Sequence, residues 1–322
     1  MIDHSSQSTA LALILQDLRT ARASYGQVMV AEPWGLELPY QAGVRFHLVV
    51  DGSCEVELPG GETLTLHAGD MALLPHGQPH RLRDGRRSPV VALASVPAQE
   101  IGQAVYRLRS GGDGTPSLLV CCTVDFDHPA ARRLLSEMPA SLLLRAADID
   151  GSGVAGLVSL MREEMRRQRM GVATLLPRIA DVIITWVIRE WAETHDAPAV
   201  GWLAALRQPG IGQALAAIHR EPDRKWTIPE LAREAGMSRT RFALRFKEAT
   251  GQSPARFLLE WRMTLAAGRL AQERIGLASL ASELGYDSEA SFIRAFRRVK
   301  GVTPARWRKQ APVAEGDRTS AA

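Results

Sequence analysis

The chain has 322 residues, 46% hydrophobic and 23% charged, with 39 Lys and Arg against 35 Asp and Glu. That balance excludes a mostly disordered chain, and three cysteines exclude a disulfide-framed secreted scaffold. The length suits two domains with a helical piece between them.

The opening MIDHSSQSTALALILQDLRT carries an acid at position 3 and no basic run before its short apolar stretch. It reads as a poor secretory signal. From Trp34 to about Ala94 the pattern is strand-like. VRFHLVV, SCEVEL, ETLTLHAG, DMALLP and PVVALASV are short β-rich runs between Gly, Pro and Asp turns. Strands at such close spacing predict a barrel or sandwich. Cys54 falls in one of them. Cys121 and Cys122 are adjacent in a strand, so their side chains point to opposite faces and at most one should enter the core. All three are either small core residues or candidates for redox sensing. Gly111-Gly112-Asp113-Gly114 reads as a loop, with no phosphate-binding helix after it.

Gly153 to Arg169 and Ala173 to Glu193 read as helices, with Pro177 tolerated in the first turn of the second. Leu175, Ile179, Val182, Ile183 and Trp186 make the second apolar, which suits a dimer seam or packing on its own barrel. The most apolar long stretch, Leu175 to Trp191, is broken by Pro177, Arg178, Asp181 and Arg189, so no membrane span is expected. His195 to Gly201, HDAPAVG, reads as a linker.

Charge then changes sign. Residues 210–310 hold 19 Lys and Arg against 10 Asp and Glu, while the remainder holds 20 against 25. A basic C-terminal third on an acidic body suits a polyanion partner. The same third repeats itself: Leu231 to Phe257 matches Leu280 to Trp307. Gly236 pairs with Gly285, Phe242 and Phe246 with Phe292 and Phe296, Gly251 with Gly301, and Pro254-Ala255-Arg256 with Pro304-Ala305-Arg306. Each copy predicts helix, tight turn, helix. Thr227 and Glu230 form a capping box, Gly236 makes a left-handed turn, and Ser238 caps the next helix. In the second copy Gly285 makes the turn and Asp287 is the expected cap. In the first longer helix Phe242, Phe246 and Ala249 form the buried stripe, Thr240, Leu244 and Lys247 face away, and Arg239, Arg241 and Arg245 flank them. In the second, Phe292, Phe296 and Val299 are buried. Ala290, Arg294 and Arg297 face away, flanked by Ser291 and Arg298. Small, hydroxyl and arginine side chains suit a major groove, and flanking arginines suit phosphates. A solvated basic helix would explain one copy; two matching copies point to DNA.

Residues from about 212 to 310 resemble the C-terminal domain of AraC/XylS-type transcription regulators, carried by the repeat and by its ending Phe296 to Arg308, FRRVKGVTPARWR. The resemblance implies a helix joining the two units, here Ala255 to Gln272, and two recognition helices in successive major grooves. It places Thr240 and Leu244 near bases from the first unit, and Ser288, Glu289, Ala290, Ser291 and Arg294 from the second. Leu244 departs from the polar residue usual there and suits a thymine methyl. Phe46 to Leu58 and His67 to Leu82 resemble the two core motifs of the cupin barrel, through Gly69, Asp70, Pro75, Gly77 and His80. The segment Cys121 to Pro139 is similar to one found in cupin-bearing AraC relatives, some of which are regulated through oxidised cysteines.

Enzymatic cupins hold a metal with histidines and a carboxylate. Here His47, His76 and His80 are the candidate nitrogens for a divalent ion such as zinc or iron, with Asp51 the nearest acid. The alternative is turn and barrel-mouth histidines with ordinary hydrogen bonds. The expected fold is thus α+β and multidomain: a cupin-like β-barrel sensor (1–150), a helical spacer with a possible dimer contact (151–208), an all-α domain of two helix-turn-helix units (209–310) and a disordered tail (311–322). The expected function is a cytoplasmic, sequence-specific transcription regulator, an activator by family habit. It would bind promoter DNA as a homodimer, contact RNA polymerase and respond to a small-molecule or oxidant effector. A cupin-type metal-dependent oxygenase or isomerase is the rival, and it leaves the repeat unexplained.

Overall fold

A computed structural model describes Leu15 and residues 20–85, 88–126, 129–167, 170–194, 201–221, 224–272 and 275–310. The predicted linker at 195–200, the predicted tail at 311–322 and most of the opening segment lie outside the described residues. The chain divides into two compact units on either side of the linker.

In the first unit two sheets face each other. The larger orders β12 (Leu142–Leu144), β6 (Met71–Leu74), β3 (Val44–Asp51), β11 (Pro116–Phe126), β1 (Thr20–Ala31), β10 (Val105–Gly111) and β9 (Ala98–Gly102). The smaller orders β5 (Thr63–His67), β4 (Ser53–Glu57), β7 (His80–Arg83), β2 (Gly35–Leu38) and β8 (Val91–Ala92). Val28, Leu36, Val49, Val56, Leu74 and Leu119 reach from both sheets into one buried core, which is the sandwich form of a small barrel. β3 is buried along almost its whole length, because its other face is covered too. After the short helices α1 (Pro129–Ser136) and α2 (Ala146–Ile149), Arg162 of α3 (Gly153–Arg167) donates from Nε to the Val50 carbonyl at 3.1 Å, and Arg166 bonds both oxygens of Asp51 at 2.5 and 2.8 Å. This explains why FHLVV is a continuous apolar run. α4 (Val172–Thr194) packs on α3 and is tied to β1 by Tyr25 Oη donating to Asp181 at 2.6 Å.

The 151–208 segment therefore does not form a spacer with a body of its own. α3 and α4 belong to the barrel unit, while α5 (Trp202–Arg207) belongs to the DNA-binding unit. There it packs on α8 (Arg239–Thr250), and the Gly201 N–H donates to the Ala249 carbonyl at 2.9 Å. The run Pro89 to Val96, expected as a strand, forms just two strand residues before a short 3-10 turn, Leu93–Ser95.

The second unit is helical among the described residues. α6 (Ile211–Arg220) precedes α7 (Ile228–Glu234) and α8, the first helix pair. α9 (Pro254–Gln272) joins them to α10 (Leu277–Glu283) and α11 (Glu289–Lys300), the second pair, and α12 (Pro304–Gln310) closes the unit. Met263, Ala266 and Leu270 of α9 sit in one cluster with Leu280, Phe292 and Phe296. Trp307 Nε1 donates to the Ala267 carbonyl at 3.1 Å, fixing α12 to α9.

Candidate functional site

The two helix-turn-helix units share their turn chemistry and the cap of their second helix, while only the first unit opens on a side-chain capping box. Thr227 caps α7 through a reciprocal box with Glu230, the Thr227 N–H donating to Oε2 at 2.8 Å. α7 ends with Gly236 at φ +63°; Met237 N–H donates to the Ala232 carbonyl and Gly236 N–H to that of Arg233. α10 ends identically: Gly285 stands at φ +76°, Tyr286 bonds Ala281, and Gly285 bonds Ser282. These are two Schellman closures, which fix the angle at which the next helix leaves. Ser238 caps α8 by accepting from Arg241 N–H at 3.4 Å, and Ser288 caps α11 by accepting from Ser291 N–H at 3.2 Å. The second cap is Ser288, not the expected Asp287. The carboxylate of Asp287 goes to Lys225 at 2.5 Å instead, leaving the hydroxyl one residue on to take the orphan donor.

The buried stripes fall where helical phase puts them. Phe242, Phe246, Phe292 and Phe296 are all fully buried, and the two rings within each helix sit 5.4 and 5.8 Å apart. The opposite faces are exposed: Arg239, Thr240, Arg241, Leu244, Arg245 and Lys247 on α8, and Ser288, Glu289, Ala290, Arg294, Arg297 and Arg298 around α11, with Ser291 half-buried. Leu244 is 58% exposed, an apolar side chain with no packing role in the described unit. Several other cations of this unit are committed. Arg224 pairs with Glu221 and Glu230, Arg256 with Glu260, and Arg269 with Glu283. Among the described residues none of the seven exposed cations on α8 and α11 is in an ion pair. Unpaired cations on the outward faces of two capped helices form a surface made for a polyanion.

The second constellation lies between the two sheets of the barrel. A cavity of about 430 Å³ is lined by Val28, Leu36, Leu38 and Leu108 together with Arg45, His47 and Cys121. His47 and His80, both expected as ligands, are brought together: their Nε2 atoms are 2.9 Å apart. The tautomers follow from the neighbours. The Gln78 carbonyl accepts from His80 Nδ1 at 2.9 Å, so that nitrogen carries the proton. His80 Nε2 is then the acceptor and His47 Nε2 the donor, leaving His47 Nδ1 a buried acceptor without a partner. Burial first, and then the charge of Arg45, hold His80 down to about 4, against the pull of its Gln78 bond. Burial, His80 and Arg45 hold His47 well below the usual range. Both are neutral at neutral pH.

His76 is not part of this group. It is exposed, and its Nε2 faces the Met138 carbonyl at 3.0 Å. Asp51 is committed to Arg166. Among the described residues no group of three His, Cys, Asp or Glu is arranged around a common metal position. Both histidines also feel the charge of the Arg45 guanidinium, which repels a divalent cation. The residues present do not fit the expected three-nitrogen metal site. Cys54 is 1% exposed, in the core cluster against which Cys121 packs; Cys122 is 2% exposed on the opposite face of β11, beneath α4. Cys121 is only partly buried and lines the cavity, so one of the pair, Cys122, enters a core, as strand alternation predicts. Burial pushes the Cys121 thiol up to about 12, and those of Cys54 and Cys122 well above the ordinary range. All three stay protonated thiols at neutral pH, the reverse of an activated cysteine. Arg45 escaped the sequence reading; a single charge inside the apolar run of β3 was the signal for it.

Two capped helix-turn-helix units with unpaired outward cations, joined to a barrel with an internal cavity, define a DNA-binding transcription regulator. A family model described as Cupin matches residues 10–193, and a Helix-turn-helix domain model matches residues 231–310. The chain is 30% identical over 298 residues to an AraC-like transcription regulator of Streptomyces lividans, covering 92% of this chain and 96% of that one. It is 28% identical over 281 residues to RclR of Escherichia coli K12, an RCS-specific HTH-type transcriptional activator, covering 85% and 88%. Among solved structures, the DNA-binding domain of AdpA in complex with a target DNA is similar at 27% identity and TM-score 0.30, over 32% of this chain and 91% of that one. The chain belongs to the AraC-like transcription regulators that carry a cupin domain. No described helix is long and apolar enough to cross a membrane.

Proposed function

We propose that the barrel binds a small effector in its cavity and that occupancy changes how a homodimer presents its four helix-turn-helix units to promoter DNA and to RNA polymerase in the cytoplasm. The DNA side is carried by the seven exposed, unpaired cations on α8 and α11. The sensor side rests on a cavity of ligand size between two sheets. Tyr25 lines that cavity and bonds Asp181 of α4, which gives occupancy a direct route to the helical layer. The protein acts by binding, with no catalytic step of its own. The histidines an oxygenase or isomerase would use are neutral and bonded to each other, and among the described residues no third ligand completes a metal site with them.

The test is retention of the DNA upstream of the protein's own gene by full-length protein, against random DNA of equal length, with a footprint of the bound region. Protection across two successive major grooves and a clear preference for the upstream DNA are expected. Equal affinity for both DNAs rejects the reading. Oxidation at Cys54 and Cys121 is a second route to sensing, supported by Cys121 lining the cavity and packing against the core cluster that holds Cys54. It predicts a response lost in Cys121→Ser and reversed by reductant; the buried, protonated state of these thiols favours the ligand route.

A further inference from the structure

We propose that the barrel cavity takes a small organic anion, a carboxylate on an apolar body, with Arg45 holding the carboxylate. The assignment rests on reading the barrel as the sensor and gives its effector a chemical class. Arg45 lies in β3 between Val44 and Phe46 and is 4% exposed. Its Nη2 donates to the Pro39 carbonyl at 3.0 Å, and its Nε has no hydrogen-bond partner. Among the described residues no carboxylate pairs with it; the ionisable groups that feel its charge are His47, His80 and Cys121. None of these is an anion here. A guanidinium cannot shed its charge, so a buried one without a counter-anion is costly. The same barrel supplies acids where an arginine is structural: buried Arg83 meets Glu57 at 3.2 Å, and Arg145 meets Asp70 at 2.9 Å.

Strand register places further donors beside it. Arg45 stands opposite Thr123 on β11, and Thr123 opposite Ser24 on β1, so two hydroxyls and a guanidinium form a row on the inner face of three strands. All three line the cavity. Past this row the lining is Val28, Leu36, Leu38 and Leu108. A polar, cationic end and an apolar remainder describe a site for an organic acid and exclude amines and metal cations.

The experiment measures binding of octanoate and benzoate to full-length protein by calorimetry, beside their uncharged counterparts 1-octanol and benzyl alcohol. The acid of at least one pair binds ten times or more tighter than its alcohol. Arg45→Met, which keeps the length and removes the charge, abolishes that preference, and Arg45→Lys retains it in weakened form. Without ligand, Arg45→Met melts higher than the parent chain, since the unpaired charge is gone. Alcohols that bind as tightly as the acids, or a protein that binds none of the four, overturn the assignment. That comparison needs no variant to fold. Acid binding that leaves retention of the upstream DNA unchanged keeps the site and removes the sensor reading. Alcohol binding that alters retention keeps the sensor and removes the anion.

Discussion

Arg294 and Arg298 are both exposed arginines of α11, yet they are expected to do different work. Arg294 lies in the middle of the outward face and is proposed to meet the edge of a guanine; Arg298 flanks it and is proposed to meet phosphate. Arg294→Ala should cost about 1–3 kcal/mol on the specific site and relax its preference. Arg298→Ala, or Arg239→Ala on α8, should weaken all sequences alike and reduce the salt dependence by about one ion. Retention measured at three salt concentrations separates the two; identical losses on specific and random DNA for Arg294→Ala remove its base-reading role. Phase and residue type were enough to find these positions, because exposure on a helix follows from spacing. The cavity was harder to read. Whether His76 joins His47 and His80 depends on how the β6–β7 turn is aimed, and single-chain spacing carries no such angle.

The histidine pair makes a separate prediction. An unfolded chain protonates His80 near pH 6.5, whereas burial and Arg45 delay this to about 4 in the fold. The folded state therefore binds fewer protons across that window, and stability falls as pH drops from 6.5 toward 4. The loss is about 1.4 kcal/mol per pH unit, or about 3 kcal/mol in total for this group. Urea melts of the barrel between pH 4.5 and 7.5 should show the slope, and His80→Gln should flatten it. Equal slopes in the two proteins would mean that the pair titrates normally.

Among the connections, two positive-φ glycines carry different burdens. Gly236, at φ +63°, has open space where a Cβ would stand, so Gly236→Ala pays backbone strain alone, about 1 kcal/mol. Gly77, at φ +60° in the turn between β6 and β7, would place a Cβ 1.9 Å from the Gln41 carbonyl oxygen. Gly77→Ala must move backbone as well, and should cost at least about 2 kcal/mol. Denaturation of each variant, followed in the unit it affects, checks the order; a larger loss for Gly236→Ala contradicts it. Sequence signals worked best at such punctuation. The caps, the closing glycines Gly251 and Gly301, and the strands from β3 to β6 were readable because each has a local chemical reason. β1, TARASYGQVMVA, was not: its Ala, Ser, Gly and Gln blur the alternation, and it is held by pairing with β10 and β11 some 80 to 100 residues away. The cap of α11 was misplaced by one residue because Lys225, distant in sequence, claims Asp287.

Assembly is where sequence and fold leave the most to a partner copy. Within the barrel unit α4 buries Ile179, Ile183, Val187 and Trp191 against its own protein, so much of the apolar pattern that suggested a dimer seam is spent on the fold. Leu175 and Val182 remain, 40% and 52% exposed and seven residues apart on the outer face of α4, with Leu160 of α3 exposed at 45%. A seven-residue spacing places both on one stripe, the geometry of a helix that meets its twin. Full-length protein should sediment as a dimer, and Leu175→Glu combined with Val182→Glu should sediment as a monomer of unchanged secondary structure. Because two tethered DNA-binding units raise each other's effective concentration, the monomer should bind a two-half-site promoter about a hundredfold more weakly. A fragment beginning at Gly201, which keeps α5 on α8, should show the same weak binding and no dimer at all. If the full-length chain sediments as a monomer with and without DNA, the homodimer is removed, and the two exposed side chains are ordinary surface apolar residues.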